Sequence, residues 1–592
     1  MPNKNRLNLF YVFVFVLFAL LFLRLFYLKV VRFEHYTLKS AKIRARIIPN
    51  IAPRGQIYDR NMQVLASSKP VFSAYILPVK LENASVAARV IGNILHEDDK
   101  IIYQKIIRQE DKSFEPLLIK DYIDFNTISL IEEQEHKLPG FVVGARNIRS
   151  YHHNETASHV LGYIGEINKT TLRQKEAEGY RLGDIIGLSG IEKQYENYLR
   201  GVNGGQQIEV DSVGRPVKIL GNIEPVPGNN LVLTLDLGMQ KVAEASLGDK
   251  KGGIVVMKPK TGEVLVLASH PAFDPEIFTE PISSEQWAEL HTGRNPLHNR
   301  ALTAYPTGST FKLITAITAL EYDLAKPLDQ FFCPGYMMIG ARKAACWKTH
   351  GRINFFEGMV NSCDVVFYNL GLKSGPDRIN RVGSVFGLGE RSNIDLPGEG
   401  KGRLPSSKWK LEALHEPWYP GDSMNLGIGQ GFLQATPLQM AVLLSAIANK
   451  GAIYQPHLLK EVRSPQHELL YSFKQKVVRK INLKTSTWDY LYQSLTAVVE
   501  RGTGAVAKIS GLTIAGKTGT AEDPPRPTCH AWFVCLAPVE NPEIAMAIFL
   551  ENGGHGGTTA APIAKDILKY FLESQTKAAS ANLVPSASVE GR

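Results

Sequence analysis

The chain has little cysteine, with five residues in 592. So sparse a set excludes a disulfide-dense secreted scaffold. It has no run of about five like charges, and so lacks the basic tail of many nucleic-acid binders. Lys and Arg number 67 against 57 Asp and Glu, a net charge of +10 spread along the chain. That balance fits work beside an anionic membrane or polymer at least as well as a nucleic acid. No internal repeat is present, and with 44% hydrophobic and 21% charged residues the composition is globular. A second long hydrophobic run is also missing: the stretch from Ile254 to Ala268 is short and carries Lys258, Lys260 and Glu263.

One such run does exist. Leu7 to Leu23 holds no charged residue and one strongly polar one, Asn8. After Arg24 the apolar character resumes through Leu25, Phe26, Tyr27 and Leu28. With Arg24 snorkelling to the interface, about 20 residues suffice to span a bilayer. A cleaved signal peptide would end in a small-x-small site. Arg24-Leu25-Phe26-Tyr27 stands there instead, so the sequence predicts an uncleaved anchor over residues 7–31, with 1–6 as a short tail. Lys4 and Arg6 on one side and Lys29 and Arg32 on the other leave its orientation open.

The remainder divides in two. Residues 32–228 are mixed and charged. The turn-rich Pro225-Val226-Pro227-Gly228-Asn229-Asn230 marks a boundary. Beyond it Leu231 to Leu237 alternates as a strand. Gly252–Val256 and Glu263–Ala268 read as a hairpin, Phe311–Tyr322 as a buried helix, Ile544–Leu550 as a strand and Pro562–Glu573 as an amphipathic helix. Strands at both ends with helices between predict an α+β domain over 229–573 whose sheet joins the two chain ends. Residues 574–592, small and polar, read as a disordered tail.

Three short motifs carry chemistry. In Pro306-Thr307-Gly308-Ser309-Thr310-Phe311-Lys312, a turn runs straight into a helix, so Ser309 and Lys312 share its first turn at i and i+3. A serine hydroxyl needs a base, and a lysine amine with its pKa lowered by burial can serve. Ser362-Cys363-Asp364 adds a hydroxyl and a carboxylate that can complete a proton relay with Lys312. Lys517-Thr518-Gly519-Thr520 reads as an edge strand, with positive charge, hydroxyls for a substrate carboxylate and a glycine for close approach. Each motif alone has a bland reading as capping or turn residues; their order and spacing together are specific.

Together the motifs resemble the penicillin-binding and serine β-lactamase superfamily. Arg54-Gly55-Gln56-Ile57-Tyr58-Asp59-Arg60-Asn61, His159-Val160-Leu161-Gly162-Tyr163-Ile164-Gly165 and Gly187-Leu188-Ser189-Gly190-Ile191-Glu192 are similar to the non-catalytic motifs of class B penicillin-binding proteins. Gly427-Ile428-Gly429-Gln430-Gly431 and Asn552-Gly553-Gly554 also match family positions. Asp364, where division-type relatives usually carry Asn, resembles the elongation type, penicillin-binding protein 2. Met62 and His152 depart from the family pattern, both outside the catalytic region.

The resemblance implies an anchored D-Ala-D-Ala transpeptidase of cell elongation, its bulk outside the cytoplasmic membrane and covalently inhibited by β-lactams. Its fold would be a pedestal over 32–228 and a transpeptidase domain of antiparallel sheet flanked by helices. Catalytic roles fall on Ser309, Lys312, Ser362, Asp364 and Lys517, and substrate binding on Thr518, Gly519 and Thr520. Implied partners are stem peptides and a polytopic SEDS-type (RodA-like) glycosyltransferase with other elongation proteins. A division-type enzyme, or a β-lactam-sensing membrane protein without turnover, is the alternative. No organic cofactor is implied. A built-in glycosyltransferase is rejected, because Glu110-Asp111-x-x-Phe114 is followed by Leu117 where its signature needs His.

Cys333, Cys346, His350 and Cys363 follow C-x12-C-x3-H-x12-C. Three thiolates and an imidazole suit one closed tetrahedral Zn²⁺ of structural role, and elongation-type relatives resemble the His-x12-Cys pair. A disulfide or buried free thiols are the alternatives in an exported domain. Cys535 reads as a buried core thiol.

Overall fold

The computed structural model describes residues 4–33, 45–76, 83–110, 117–133, 141–181, 183–210, 216–280, 282–291, 293–522 and 528–582. They form two compact units that interleave along the chain. One contains Met1–Arg54, Ser68–Ile148 and Gly201–Gly228; the other contains Gly55–Ser67, Arg149–Arg200 and Asn229–Arg592. The single sequence cut at 228 therefore differs from the three-dimensional division. Two stretches of the predicted pedestal belong with the second unit because their apolar residues (Ile57, Leu65, Val160, Ile191, Leu199) enter its core.

In the first unit, helix Lys4–Phe26 continues into a π-turn at Tyr27–Val31. Arg6–Val31 has a mean hydropathy of 2.7 and is long and apolar enough to cross a membrane. Ala45–Asn50, Gly204–Val210 and Pro216–Ile223 make an antiparallel sheet. Helix Ala84–Leu95, capped by the Asn83 side chain, packs Ile91 and Leu95 against Ile102, Ile106, Ile119 and Phe141.

The second unit is built on a five-stranded antiparallel sheet, in spatial order Val264–His270, Gly252–Met257, Ile544–Leu550, His530–Ala537 and Ala515–Ala521. The two ends of this part of the chain meet where Gly252 pairs with Leu550, as the sequence predicts. Ile254 and Val256 face a core shared with helices Leu237–Leu247 and Gly556–Asn582, whereas Val255 and Met257 face helices Lys312–Glu321 and Pro437–Ala448. Both faces are covered, so the strands are apolar without alternation.

Three elements differ from expectation. The strand predicted to run from Leu231 to Leu237 is Asn230–Leu233, because Asp236 accepts from Met239 N and starts helix Leu237–Leu247. The predicted helix Phe311–Tyr322 is a 3₁₀ turn, Gly308–Phe311, followed by α-helix Lys312–Glu321. The last helix runs Gly556–Asn582, past the expected end at Glu573. Residues 574–582 include Lys577, Ala578, Ala579 and Ala581, strong helix formers; the rest of the expected tail, 583–592, lies outside the described residues.

Candidate active site

The turn carrying Ser309 is held from three sides. Tyr305 N donates to Ala435 O at 2.9 Å, Gly308 N to Gly429 O at 2.9 Å, and the Trp532 indole to Pro306 O at 2.8 Å. Gly308 has φ +55°, and a Cβ there would stand 2.3 Å from Thr520 O. A Cβ on Gly519 would stand 2.9 Å from Thr307 O and 2.9 Å from Thr310 Cγ2. The two glycines thus let strand Ala515–Ala521 lie directly on the turn. Beside the expected close approach of a substrate backbone, Gly519 thus has the serine's own turn and Trp532 Cβ, at 3.0 Å from such a Cβ, as near neighbours.

Lys312 follows Ser309 by three residues, and its side chain is fully buried. Its Nζ donates to Ser362 O at 2.8 Å, to Ser362 Oγ at 3.2 Å and to Asp364 Oδ1 at 2.8 Å. Lys517, also fully buried, donates to the same Ser362 Oγ at 2.8 Å. Burial, and secondarily the charge of Lys312, push the Lys517 amine well below its ordinary pKa, against the attraction of Asp364.

Ser362 sits at a corner between helices Phe355–Val360 and Asp364–Val385, with φ +53°. Its N–H donates to Met359 O and that of Cys363 to Gly358 O, closing the first helix as a left-handed cap. A non-glycine residue there costs on the order of 1 kcal/mol. That backbone turns both oxygens of Ser362 onto Lys312. Thr518 Oγ1 lies 2.7 Å from Thr503 Oγ1, and Thr520 is half-buried.

The four residues of the cysteine cluster also converge. One ligand atom from each of Cys333, Cys346, His350 and Cys363 lies within 4.8 Å of every other. His350 Nδ1 is 3.5 Å from Cys333 Sγ and 3.7 Å from Cys346 Sγ, and its buried Nε2 has no hydrogen-bond partner. A hydrogen bond between two of the sulfurs pulls the Cys346 thiol down to about 5 and pushes that of Cys363 up. The cluster adjoins Asp364 through the backbone, and the residue after Cys346 reaches its carboxylate. Asp364 N donates to Cys346 Sγ at 3.3 Å, and Trp347 N donates to Asp364 Oδ2 at 3.3 Å. Cys535 is a buried core thiol, as expected.

Sequence reasoning missed Trp347 and Thr503, since neither stands in a motif and only the folded chain brings them to Asp364 and Thr518. It also left without a role the buried pair Arg149–Glu192. Arg149 Nε donates to Glu192 Oε1 at 2.6 Å and Nη1 to Gly55 O at 2.7 Å, joining segments 55–67 and 149–200. Met62, where glycine is expected, has φ +62°, the conformation glycine adopts most cheaply.

A buried Lys–Ser–Lys–carboxylate group beside a serine on a helix-initiating turn, under an antiparallel sheet, defines a serine acyltransferase of the penicillin-recognising kind. Residues 252–569 match the penicillin binding protein transpeptidase domain. Residues 49–233 match the penicillin-binding protein dimerisation domain. The peptidoglycan D,D-transpeptidase MrdA of Acinetobacter baumannii is 33% identical over 93% of this chain and 85% of its own length. That of Escherichia coli is 30% identical over 94% and 92%. Among solved structures, the complex of penicillin-binding protein PBP2 with MreC from Helicobacter pylori superposes with a TM-score of 0.79, at 27% identity, over 90% of this chain and all of that one. Pseudomonas aeruginosa PBP2 in complex with WCK 5153 gives 0.67 at 30% identity, over 89% and 97%. The chain belongs to the penicillin-binding protein transpeptidase family, and within it to the class B, elongation-type (PBP2) branch of serine D,D-transpeptidases.

Proposed function

We propose that this chain cross-links peptidoglycan stem peptides through an acyl-enzyme on Ser309. The observation that carries the reading is the double hold on Ser362 by Lys312 and Lys517, with Asp364 on Lys312. Lys312, paired with Asp364, passes a proton through Ser362 Oγ to Lys517, whose neutral form burial favours. Neutral Lys312 then takes the Ser309 proton as Oγ attacks the carbonyl of the penultimate D-Ala. The C–N bond breaks, and the same relay returns a proton to the departing D-Ala amine. Backbone N–H groups of Ser309 and Thr520 stabilise the oxyanion, each worth about 3 kcal/mol. Thr518 and Thr520 hold the terminal carboxylate. An amine of a neighbouring stem peptide resolves the ester, so no ATP is needed. β-Lactams acylate the same serine.

Cys333, Cys346, His350 and Cys363 are suited to one structural Zn²⁺. The support is the donor set and its convergence, with His350 Nδ1 turned onto the sulfurs of Cys333 and Cys346. Four protein ligands leave no position for water, so the ion would contribute folding energy and fix the segment that holds Asp364.

The anchor is a single N-terminal helix with the bulk of the chain outside the cytoplasmic membrane, docking a SEDS-type (RodA-like) glycosyltransferase. The relative from Helicobacter pylori is in complex with MreC, a second elongation partner for this chain.

The test is intact mass after benzylpenicillin. One penicilloyl adduct per chain, mapped to Ser309 and lost in Ser309→Ala with the fold retained, is expected. An adduct that survives Ser309→Ala overturns the assignment.

A further inference from the structure

Transpeptidation needs two bound substrates. The residues around Ser309 and Thr518 account for the donor only; the strand that supplies the amine must be held beside them. From Gln330 to Asn354 the chain carries Arg342, Lys343, Lys348 and Arg352 and no acidic residue. It folds into two small antiparallel ribbons, Gln330–Cys333 with Gly351–Asn354 and Tyr336–Ile339 with Arg342–Ala345. Two-stranded ribbons are marginal in water. These are fixed by the Cys/His cluster and by Tyr368, whose hydroxyl donates to Ala345 O at 2.9 Å.

Alternation sorts their side chains. Cys333 and Ile353 are buried, while Met337 and Ile339 pack on the main core. Outward stand Phe332 (66% exposed), Trp347 (60%) and Tyr336 (37%), with Lys343, Lys348 and Arg352, all exposed. Aromatic and cationic groups interleave: Phe332 pairs across strands with Arg352, and Lys343 Nζ lies 4.3 Å from the Tyr336 ring centroid. The surface reaches the catalytic centre through Trp347, whose indole donates to Asn361 O at 3.1 Å and whose backbone N–H meets Asp364.

We propose that this lobe is the platform for the acceptor, an uncross-linked glycan strand bearing stem peptides. Flat aromatic faces suit sugar rings and lysine and arginine suit the stem carboxylates, and the charge complementarity is one-sided because no acid interrupts it. The inference rests on Ser309 as the acylated residue. On this platform the acceptor amine attacks the Ser309 ester: the C–N bond forms, the C–O bond breaks, and the amine proton passes through Lys312 to Ser309 Oγ.

The test uses the full-length chain in detergent with two triple variants. One carries Lys343→Glu, Lys348→Glu and Arg352→Glu; the other carries Gln at the same three positions. Benzylpenicillin acylation stays within about twofold of wild type, since none of the three contacts the donor site. Binding of soluble uncross-linked peptidoglycan strands falls at least ~10-fold in the Glu variant and less in the Gln variant, as for three modest exposed pairs acting together. Product partition with a donor peptide and strands shifts from cross-link to hydrolysis. Unchanged strand binding and partition overturn the proposal. So does loss confined to vesicles of anionic phospholipid, which would make the lobe a membrane contact. So does a fall in penicillin acylation matching the fall in cross-linking, which would make the lobe a support for Asp364. Absence of a Ser309 adduct in the wild type would instead remove the reading beneath it.

Discussion

Lys517 Nζ stands 2.8 Å from Ser362 Oγ, and Lys312 reaches the same oxygen at 3.2 Å. Two fully buried amines thus share one hydroxyl, and Lys312 also bonds the Asp364 carboxylate. Both cannot be charged cheaply, and the pKa of the one without the direct carboxylate contact is pushed down. The pair is coupled by a hydroxyl that both donates and accepts.

The pH dependence of acylation follows from that relation. Lys517 has a folded pKa below the unfolded value of about 10.4. Between the two the unfolded chain binds the extra proton, so stability rises with pH across that window and is flat below it. Acylation needs neutral Lys517 and falls as pH drops through the folded value. Lys517→Arg, always charged, should be slow and should lack that limb in stopped-flow penicillin acylation. A limb unchanged in Lys517→Arg assigns it to another group.

The two partners of Lys312 separate base from orientation. Lys312→Ala should lose at least ~10²-fold in acylation rate, the lower end of what a positioned base supplies. Asp364→Asn should keep part of the rate, because an amide oxygen still accepts from Lys312 Nζ. Comparable rates for Lys312→Ala and wild type would show that the base lies elsewhere.

Elemental analysis should give about one zinc per chain, held by three thiolates and His350. His350→Ala removes a ligand without freeing a thiol. Metal content, melting temperature and acylation should fall together, since Cys346 accepts from Asp364 N and Trp347 donates to its carboxylate. A disulfide in its place predicts no metal, a mass lighter by two hydrogens, and sensitivity to reductant but not chelator; that pattern would end the zinc reading and leave the transpeptidase intact.

Arg149 and Glu192 are both fully buried at their side chains. Arg149→Met should cost about 3–5 kcal/mol of unfolding free energy, because it removes the counter-charge of a buried carboxylate and the donor to Gly55 O. Arg149→Met with Glu192→Leu should recover part of that in denaturant melts. A double variant no more stable than the single would place the loss in packing.

The residues proposed for catalysis could be picked out in sequence because each lies in a short segment with its own local geometry. Ser309 and Lys312 share one helical turn, and Lys517 to Thr520 lie on one strand. The N-terminal apolar helix and the sheet that joins the ends of the second domain were legible for the same reason, since long apolar runs stand out in a sequence. Residue spacing also announced the cysteine cluster. Only the tertiary structure decided which side chains meet across long separations. It brought Lys517 to Ser362, Thr503 to Thr518 and Trp347 to Asp364, and it set Gly519 against the turn of Ser309. It also threaded segments 55–67 and 149–200 into the second unit, which no boundary signal marks. Those contacts arise from packing between elements far apart in the chain, and packing leaves no period or spacing in the sequence to be read.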